Sequence, residues 1–290
     1  MFNLILAIIS SSLVSITMRL GEGKAKNNIS MLSVNYFICM ILSILYTGIG
    51  NLFQTGEGLG TVIGLGSING FFYILSLILF QNSVKQNGMV LSSIFMKLGI
   101  MMPLIISIIL FKEIPTVVQM VGFVIAIIAI VLINLKEKIS EDTFEKTEKG
   151  IIRKKSAKLS LILVLTGCGM ADGMSKIYQE LGKDRFEELF LVFTFVIAFL
   201  LSLVLIVKER QKVTKNELFY GAMLGIPNYF SARFLLKALG EIPAVVVYPT
   251  FSIGTIAVIT LTGMFAFKEK LTRLQMFAIG LIAAAVVLLN

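Results

Sequence analysis

Ten runs of predominantly apolar residues, each about as long as a bilayer is thick, alternate along the chain with short polar breaks. They fall near residues 3–20, 31–50, 60–82, 88–111, 115–135, 159–178, 187–207, 217–238, 243–267 and 271–289. A helix rises about 1.5 Å per residue, so roughly 20 residues cross the hydrocarbon core. With no water at that depth, each backbone N–H and C=O must find its partner inside its own helix. The pattern therefore predicts an all-α membrane protein with ten transmembrane helices. The first run lacks the basic start and small-residue cleavage site of a signal peptide, and is expected to remain as a span. The break between the fifth and sixth runs is of another kind. Residues 136–158 carry eight basic and five acidic side chains without apolar periodicity, which reads as a charged, solvated linker.

A short phrase occurs twice. Phe111-Lys112-Glu113, Thr116 and Gln119-Met120 return 156 residues later as Phe267-Lys268-Glu269, Thr272 and Gln275-Met276. Each copy leads into an apolar run that closes in Val-Leu-x-Asn, at Asn134 and at Asn290. The chain thus reads as a duplication, with residues 1–135 as the first five-helix repeat and 159–290 as the second. An odd number of spans per repeat sends the second copy into the membrane from the opposite side. The expected fold is two inverted five-helix repeats, the usual build of a secondary transporter.

Composition supports the membrane reading: 57% of residues are hydrophobic and 15% charged, against roughly 25% charged in soluble domains. The mean hydropathy is +0.91. Histidine and tryptophan are absent, and the two cysteines, Cys39 and Cys168, both fall inside predicted spans. That leaves no basis for a disulfide framework, a zinc site or a haem attachment motif, and no cofactor is expected. The formal charge of +9 does not point to nucleic acid, because the basic residues lie scattered at helix ends. There they follow insertion bias and lipid headgroups. Loops after odd-numbered spans, with the helix ends that flank them, hold 19 Lys and Arg, those after even-numbered spans 5. By the positive-inside rule the first set is cytoplasmic, which places both termini outside a cell (plasma) membrane.

Ten spans in two halves, a fourth helix closing in Phe-Lys-Glu and a fifth opened by Thr-x-x-Gln resemble the drug/metabolite transporter superfamily, EamA-like branch. The most specific stretch runs from Tyr248-Pro249 through Phe267-Lys268-Glu269-Lys270-Leu271-Thr272 to Gln275. The first half keeps Glu113 and Gln119 but has Ser93 where the duplication predicts the helix proline. The resemblance implies metabolite transport and cytoplasmic termini, the reverse of the loop-charge orientation. In the small multidrug-resistance relatives a membrane-embedded Glu precedes the basic end of the first helix by eight residues. The corresponding positions here are Ser11 and Cys168, so that cation-antiport mechanism does not carry over.

An ionisable group at bilayer depth costs about 2.5–3.5 kcal/mol on insertion scales and demands a partner or a function. Lys97, Asp172 and Arg233 stand roughly 12, 20 and 24 Å into the fourth, sixth and eighth runs. Lys97 has no charged counterpart, since the repeat offset lands on Ile253. It either binds an anionic group of the substrate or snorkels or pairs with Asp172. Asp172 either titrates as a coupling-ion or cationic-substrate site, with Arg233 or Lys97 released in exchange, or is neutralised by Lys176 one turn on.

Asn69-Gly70 and Pro227-Asn228 lie at matching places in the third and eighth runs, followed by Phe71-Phe72 and Tyr229-Phe230. Such places suit helix breaks lining a cavity, and with Asn35, Tyr73 and Tyr248 they form the candidate substrate-binding set. The glycines around them, Gly64, Gly66, Gly70, Gly221 and Gly225, are expected to serve close helix packing. Glu113 and Glu269, at opposite ends of the inverted repeats, read as caps for the helices that follow them. No catalytic triad, phosphate-binding glycine loop or metal cluster occurs in the sequence. The expectation is a secondary transporter of a small polar metabolite, an amino acid, organic anion or zwitterion, working by alternating access with lipid and a coupling ion such as H+ as partners. The alternatives are a transport-inactive accessory or lipid-associated protein, and a cation exporter using Asp172.

Overall fold

The computed structural model describes residues 1–21, 24, 25, 27–87, 92, 95, 96, 98–134, 152–266, 277, 280, 281, 284, 285, 287 and 288. Among them the chain is helical with no strand. The helices are α1 (Phe2–Gly21), α2 (Asn28–Thr47), α3 (Leu59–Asn87), α4 (Met101–Phe111), α5 (Val117–Asn134), α6 (Ile152–Leu181), α7 (Glu187–Lys208), α8 (Lys215–Glu241) and α9 (Ala244–Ala266). The spans Asn28–Thr47, Leu59–Phe80, Lys158–Leu181, Asp184–Lys208 and Ala244–Gly263 are each long and apolar enough to cross a membrane. Lys97, Ser93, Glu269, residues 136–151 of the linker and the second copy of the repeated phrase lie outside the described residues, as does most of the tenth predicted run. Large apolar side chains stand exposed along the helices, Ile109, Val204 and Phe219 among them, as suits a surface solvated by hydrocarbon rather than water.

The chain divides into two compact units. The first takes Met1–Ile74 and Met174–Ile242, the second Leu75–Gly173 and Pro243–Asn290. In the first unit α1 packs on α8, and α2 packs on both α7 and α8. Glycines set the closest approaches. A Cβ on Gly66 would lie 2.9 Å from the Phe190 carbonyl and 2.8 Å from Phe193 Cβ; on Gly70, 2.5 Å from the Thr194 carbonyl and 2.8 Å from Ile197 Cβ. The same arrangement recurs on α8. A Cβ on Gly221 would meet the Met31 carbonyl at 2.5 Å and Val34 Cβ at 2.6 Å; on Gly225, the Asn35 carbonyl at 2.8 Å and Ile38 Cβ at 2.6 Å. In each case a glycine pair four residues apart presses on one carbonyl and on the side chain three residues further along, the small-residue packing used between helices in lipid. α3 meets α7 and α8 meets α2 through equivalent surfaces.

The helix breaks expected at Asn69-Gly70 and Pro227-Asn228 are not present, because α3 and α8 run helically through both. The glycines are used for helix contact instead, and the asparagine amides pair with neighbouring helices. Between these helices lies a core of Tyr36, Tyr178, Phe186, Phe190, Phe195, Tyr229 and Leu236, with the Tyr178 and Phe190 rings stacked at 4.3 Å.

Both parallel helices α2 and α8 start on one carboxylate. Glu217 is fully buried; its Oε2 accepts from the Thr214 backbone N–H at 2.9 Å and from the Thr214 hydroxyl, and its Oε1 from the Asn27 N–H at 3.2 Å. Thr214 and Glu217 form a capping box for α8, and the third bond extends it to the entry of α2. Glu217→Ala should therefore lower stability by about 2 kcal/mol, the upper range for a lost cap, while Glu217→Gln retains most of it. Thermal unfolding in detergent reads the difference, and equal losses in the two variants would contradict the capping role.

The second unit joins α4, α5 and α9 with the latter part of α3 and the first part of α6. Leu104, Phe123, Ala129, Val245, Ile253, Ile256 and Ala285 form its core. A Cβ on Gly169 of α6 would press on the Gly99 carbonyl. Asn87 of α3 donates to the Ser160 hydroxyl of α6 at 2.7 Å. The Glu113 carboxylate reaches beyond the helix that follows it. Its Oε2 accepts from the Ser107 hydroxyl at 2.6 Å and from the Ala244 N–H at 3.1 Å, at the start of α9, where the helix dipole favours a carboxylate. Thr116 and Gln119 cap α5 reciprocally, at 3.3 and 3.0 Å.

Candidate functional site

Two polar patches sit among the packed helices of the first unit. The first is neutral. Asn228 of α8 donates through Nδ2 to Asn35 Oδ1 on α2 at 3.1 Å, and the Cys39 thiol donates to the Gly225 carbonyl at 3.3 Å. Asn69 of α3 donates through Nδ2 to Thr194 Oγ1 on α7 at 3.3 Å, and that hydroxyl donates onward to the Phe190 carbonyl at 2.8 Å. Thr194 and Asn35 hold equivalent places, since their carbonyls are the ones that face Gly70 and Gly225. Each thus receives an asparagine amide from the glycine-bearing helix. Asn69 Oδ1 is buried with no partner among the described residues. A buried acceptor left unmade costs about 1–3 kcal/mol, a penalty that a donor on an entering molecule would remove.

Aromatic rings connect this patch with the second. Tyr73 stands edge-on to Tyr36 at 6.3 Å and to Phe195 at 5.9 Å. Phe195 lies 6.2 Å from Tyr229, and Tyr229 lies 5.6 Å from Tyr46. Of the candidate set, Asn35, Asn69, Tyr73, Asn228 and Tyr229 fall in this one unit, and Asn35 and Asn228 touch directly.

The second patch is charged. Arg233 Nε donates to Glu188 Oε1 at 2.7 Å, and Nη2 lies 2.7 Å from the same oxygen. The Tyr229 hydroxyl donates to Glu188 Oε2 at 3.3 Å, and Lys237 Nζ lies 3.9 Å from Oε1. The guanidinium carbon stands 4.6 Å from the centre of the Tyr46 ring, within cation–π range. Beside this patch, Asn3, Gln179, Asp184, Glu187, Lys237, Gly240 and Glu241 line an open cleft of about 370 Å³.

The structure pairs Arg233 with Glu188. The sequence reading passed over Glu188 because acidic residues at a helix start are ordinary complements of the dipole. The signal was on α8 instead. Tyr229, Arg233 and Lys237 recur every four residues and so form one polar stripe along α8, which calls for an acid opposite. Tyr248 lies in the second unit, buried, its hydroxyl donating to the Asp172 backbone carbonyl at 2.8 Å. Asp172 itself is exposed. Lys176 is buried and pairs with Glu180 at 2.5 Å.

Residues 157–290 match the EamA-like transporter family. An uncharacterized protein of Haemophilus influenzae is 25% identical over 291 residues, covering 96% of this chain and 94% of the relative. A solved crystal structure of a protein with 13% sequence identity superimposes with a TM-score of 0.76 over 99% of this chain and 94% of its own. At that identity the likeness speaks to fold alone.

Proposed function

Because residues 157–290 belong to the EamA-like transporter family, we propose that this multi-pass membrane protein is a secondary transporter of a small polar metabolite, an amino acid, organic anion or zwitterion. It works by alternating access between two inverted repeats. The observation that carries the reading is the neutral patch: Asn35 and Asn69, buried, and Asn228, half-buried, in mostly apolar helices, with Asn69 Oδ1 left without a partner among the described residues. Polar side chains at such depth mark substrate pathways. The rings of Tyr73 and Tyr229 would cover the apolar part of the cargo. The inverted-repeat reading gains support from the equivalent glycine contacts of α3 on α7 and α8 on α2. On sequence grounds Lys97 contacts a negative group of the substrate and Asp172 serves as coupling carboxylate. Loop charge favours termini on the extracytoplasmic side.

Counterflow in proteoliposomes, with amino acids, organic anions and organic cations as separate groups, tests this reading. Uptake of one of the first two groups is expected, and Asn228→Ala should slow it about tenfold, the worth of one good hydrogen bond. Monodisperse elution from a sizing column controls for folding. Flux that ignores Asn228, or confined to cations, would set the reading aside.

A further inference from the structure

Arg233 has one edge of its guanidinium engaged and the other open. Nε and Nη2, the side edge, both face a single oxygen, Glu188 Oε1. A full-strength arginine–carboxylate pair makes two parallel bonds to two oxygens, but here the second oxygen of Glu188 accepts from Tyr229. Nη1, which with Nη2 forms the end edge, takes no partner among the described residues. The plane of the group is fixed on two sides, by Glu188 in its own plane and by the Tyr46 ring against its face. Tyr46 is in turn held at 5.6 Å from both Tyr229 and Phe230.

Around Glu188 two cations share one carboxylate, while the cleft beside them also carries Asp184, Glu187 and Glu241. Arg233 and Lys237 both converge on the one oxygen Glu188 Oε1. Glu187, the neighbouring acid, accepts from the Gln179 amide at 3.3 Å. Lys237 also lines the open cleft, which gives a water-soluble group a way in. A planar, pre-oriented fork beside a point charge is the arrangement that binds carboxylate bidentately.

We propose that the open Nη1–Nη2 edge of Arg233, backed by Lys237, binds the carboxylate of the transported metabolite. Glu188 and Tyr46 act as positioning residues that hold the guanidinium plane. The ligand assignment rests on the transporter reading above and narrows it to carboxylate-bearing solutes.

The chain contains no tryptophan, so Phe234→Trp supplies a single fluorophore next to this patch, at the ring that stacks on Phe230 at 5.8 Å. In detergent without lipid, benzoate should shift its emission saturably, and benzamide, the uncharged isostere, should not. Adding Arg233→Lys, which keeps the charge but loses the fork, should weaken benzoate at least about tenfold. Equal responses to benzoate and benzamide overturn the proposal even where the lysine variant does not fold, as does a benzoate affinity that Arg233→Lys leaves unchanged. A saturable emission shift with phosphatidylglycerol and none with benzoate overturns it in favour of a lipid headgroup site. Counterflow separates the two claims. A protein that binds benzoate in this way yet moves no solute contradicts the transporter reading and leaves the site standing. Undiminished carboxylate transport by Arg233→Lys does the reverse.

Discussion

Leucine at Gly70 or Gly225 should leave little or no monodisperse protein in detergent. At Gly70 the first side-chain carbon alone would lie 2.5 Å from the Thr194 carbonyl, and at Gly225 2.8 Å from the Asn35 carbonyl. Backbone cannot swing aside as a flexible side chain does, so the helices must separate along their length. Overpacking a core costs about 1–3 kcal/mol where side chains can adjust. Here the parting helices also pull Asn69 from Thr194 and Asn228 from Asn35, each separation exposing a buried amide at roughly 1–3 kcal/mol more. The expected loss is therefore upwards of about 3 kcal/mol, read as sizing-column yield and thermal midpoint. Gly64, with nothing within 4 Å of an added Cβ, is the control: Gly64→Leu should behave like the parent. If Gly70→Leu and Gly64→Leu fold alike, the close approach of α3 to α7 is wrong.

Glu188→Ala should be the second most damaging change, at about 2–4 kcal/mol. It strips Arg233 and Lys237 of their shared carboxylate. The Arg233 side chain is only 17% exposed, so its charge is left poorly solvated. Breaking a buried pair from one side costs more than removing both partners. Hence Glu188→Ala combined with Arg233→Met should recover part of the lost stability, because the Tyr46 ring that faces the guanidinium can pack on the methionine instead. A double variant less stable than the single one would mean that Arg233 is held by something other than Glu188. The recovered protein should still fail to bind benzoate, which separates the architectural from the recognition role of the arginine.

The spans themselves were readable because the membrane imposes one rule on the whole chain. Residues 187–207, 217–238 and 3–20 emerge as Glu187–Lys208, Lys215–Glu241 and Phe2–Gly21, differing by the turn that caps or charges add. The earlier start of α6, at Ile152 rather than 159, has the same origin. Arg153, Lys154, Lys155 and Lys158 stop a hydropathy run but are good helix formers. Pairing was less legible. The repeat offset says which residues correspond, and it linked the third run to the eighth. It does not say that each of these packs on the second helix of the other half, which is why Asn228 meets Asn35 and Asn69 meets Thr194. Glu113 illustrates the same gap. Its neighbour in sequence is α5, capped by Thr116 and Gln119, whereas its carboxylate serves Ala244, 131 residues away. Glu188 was hidden for lack of a partner in sequence. Arg233 drew attention as a lone cation at depth, and only the packing of α7 against its neighbours supplies the acid.

The composition of the first unit bears on how the protein is made. Its two segments, Met1–Ile74 and Met174–Ile242, leave the ribosome far apart in time. Ser33 receives a hydrogen bond from Ser202, 169 positions later, which at about 5–20 residues per second is a wait of roughly ten to thirty seconds. Through that interval α1, α2 and the start of α3 sit in the bilayer with Asn35 and Asn69 facing neither of their eventual helices. A nascent chain stalled in the charged linker is therefore a half-built membrane protein with polar side chains turned to lipid, the form most open to insertion chaperones and to degradation.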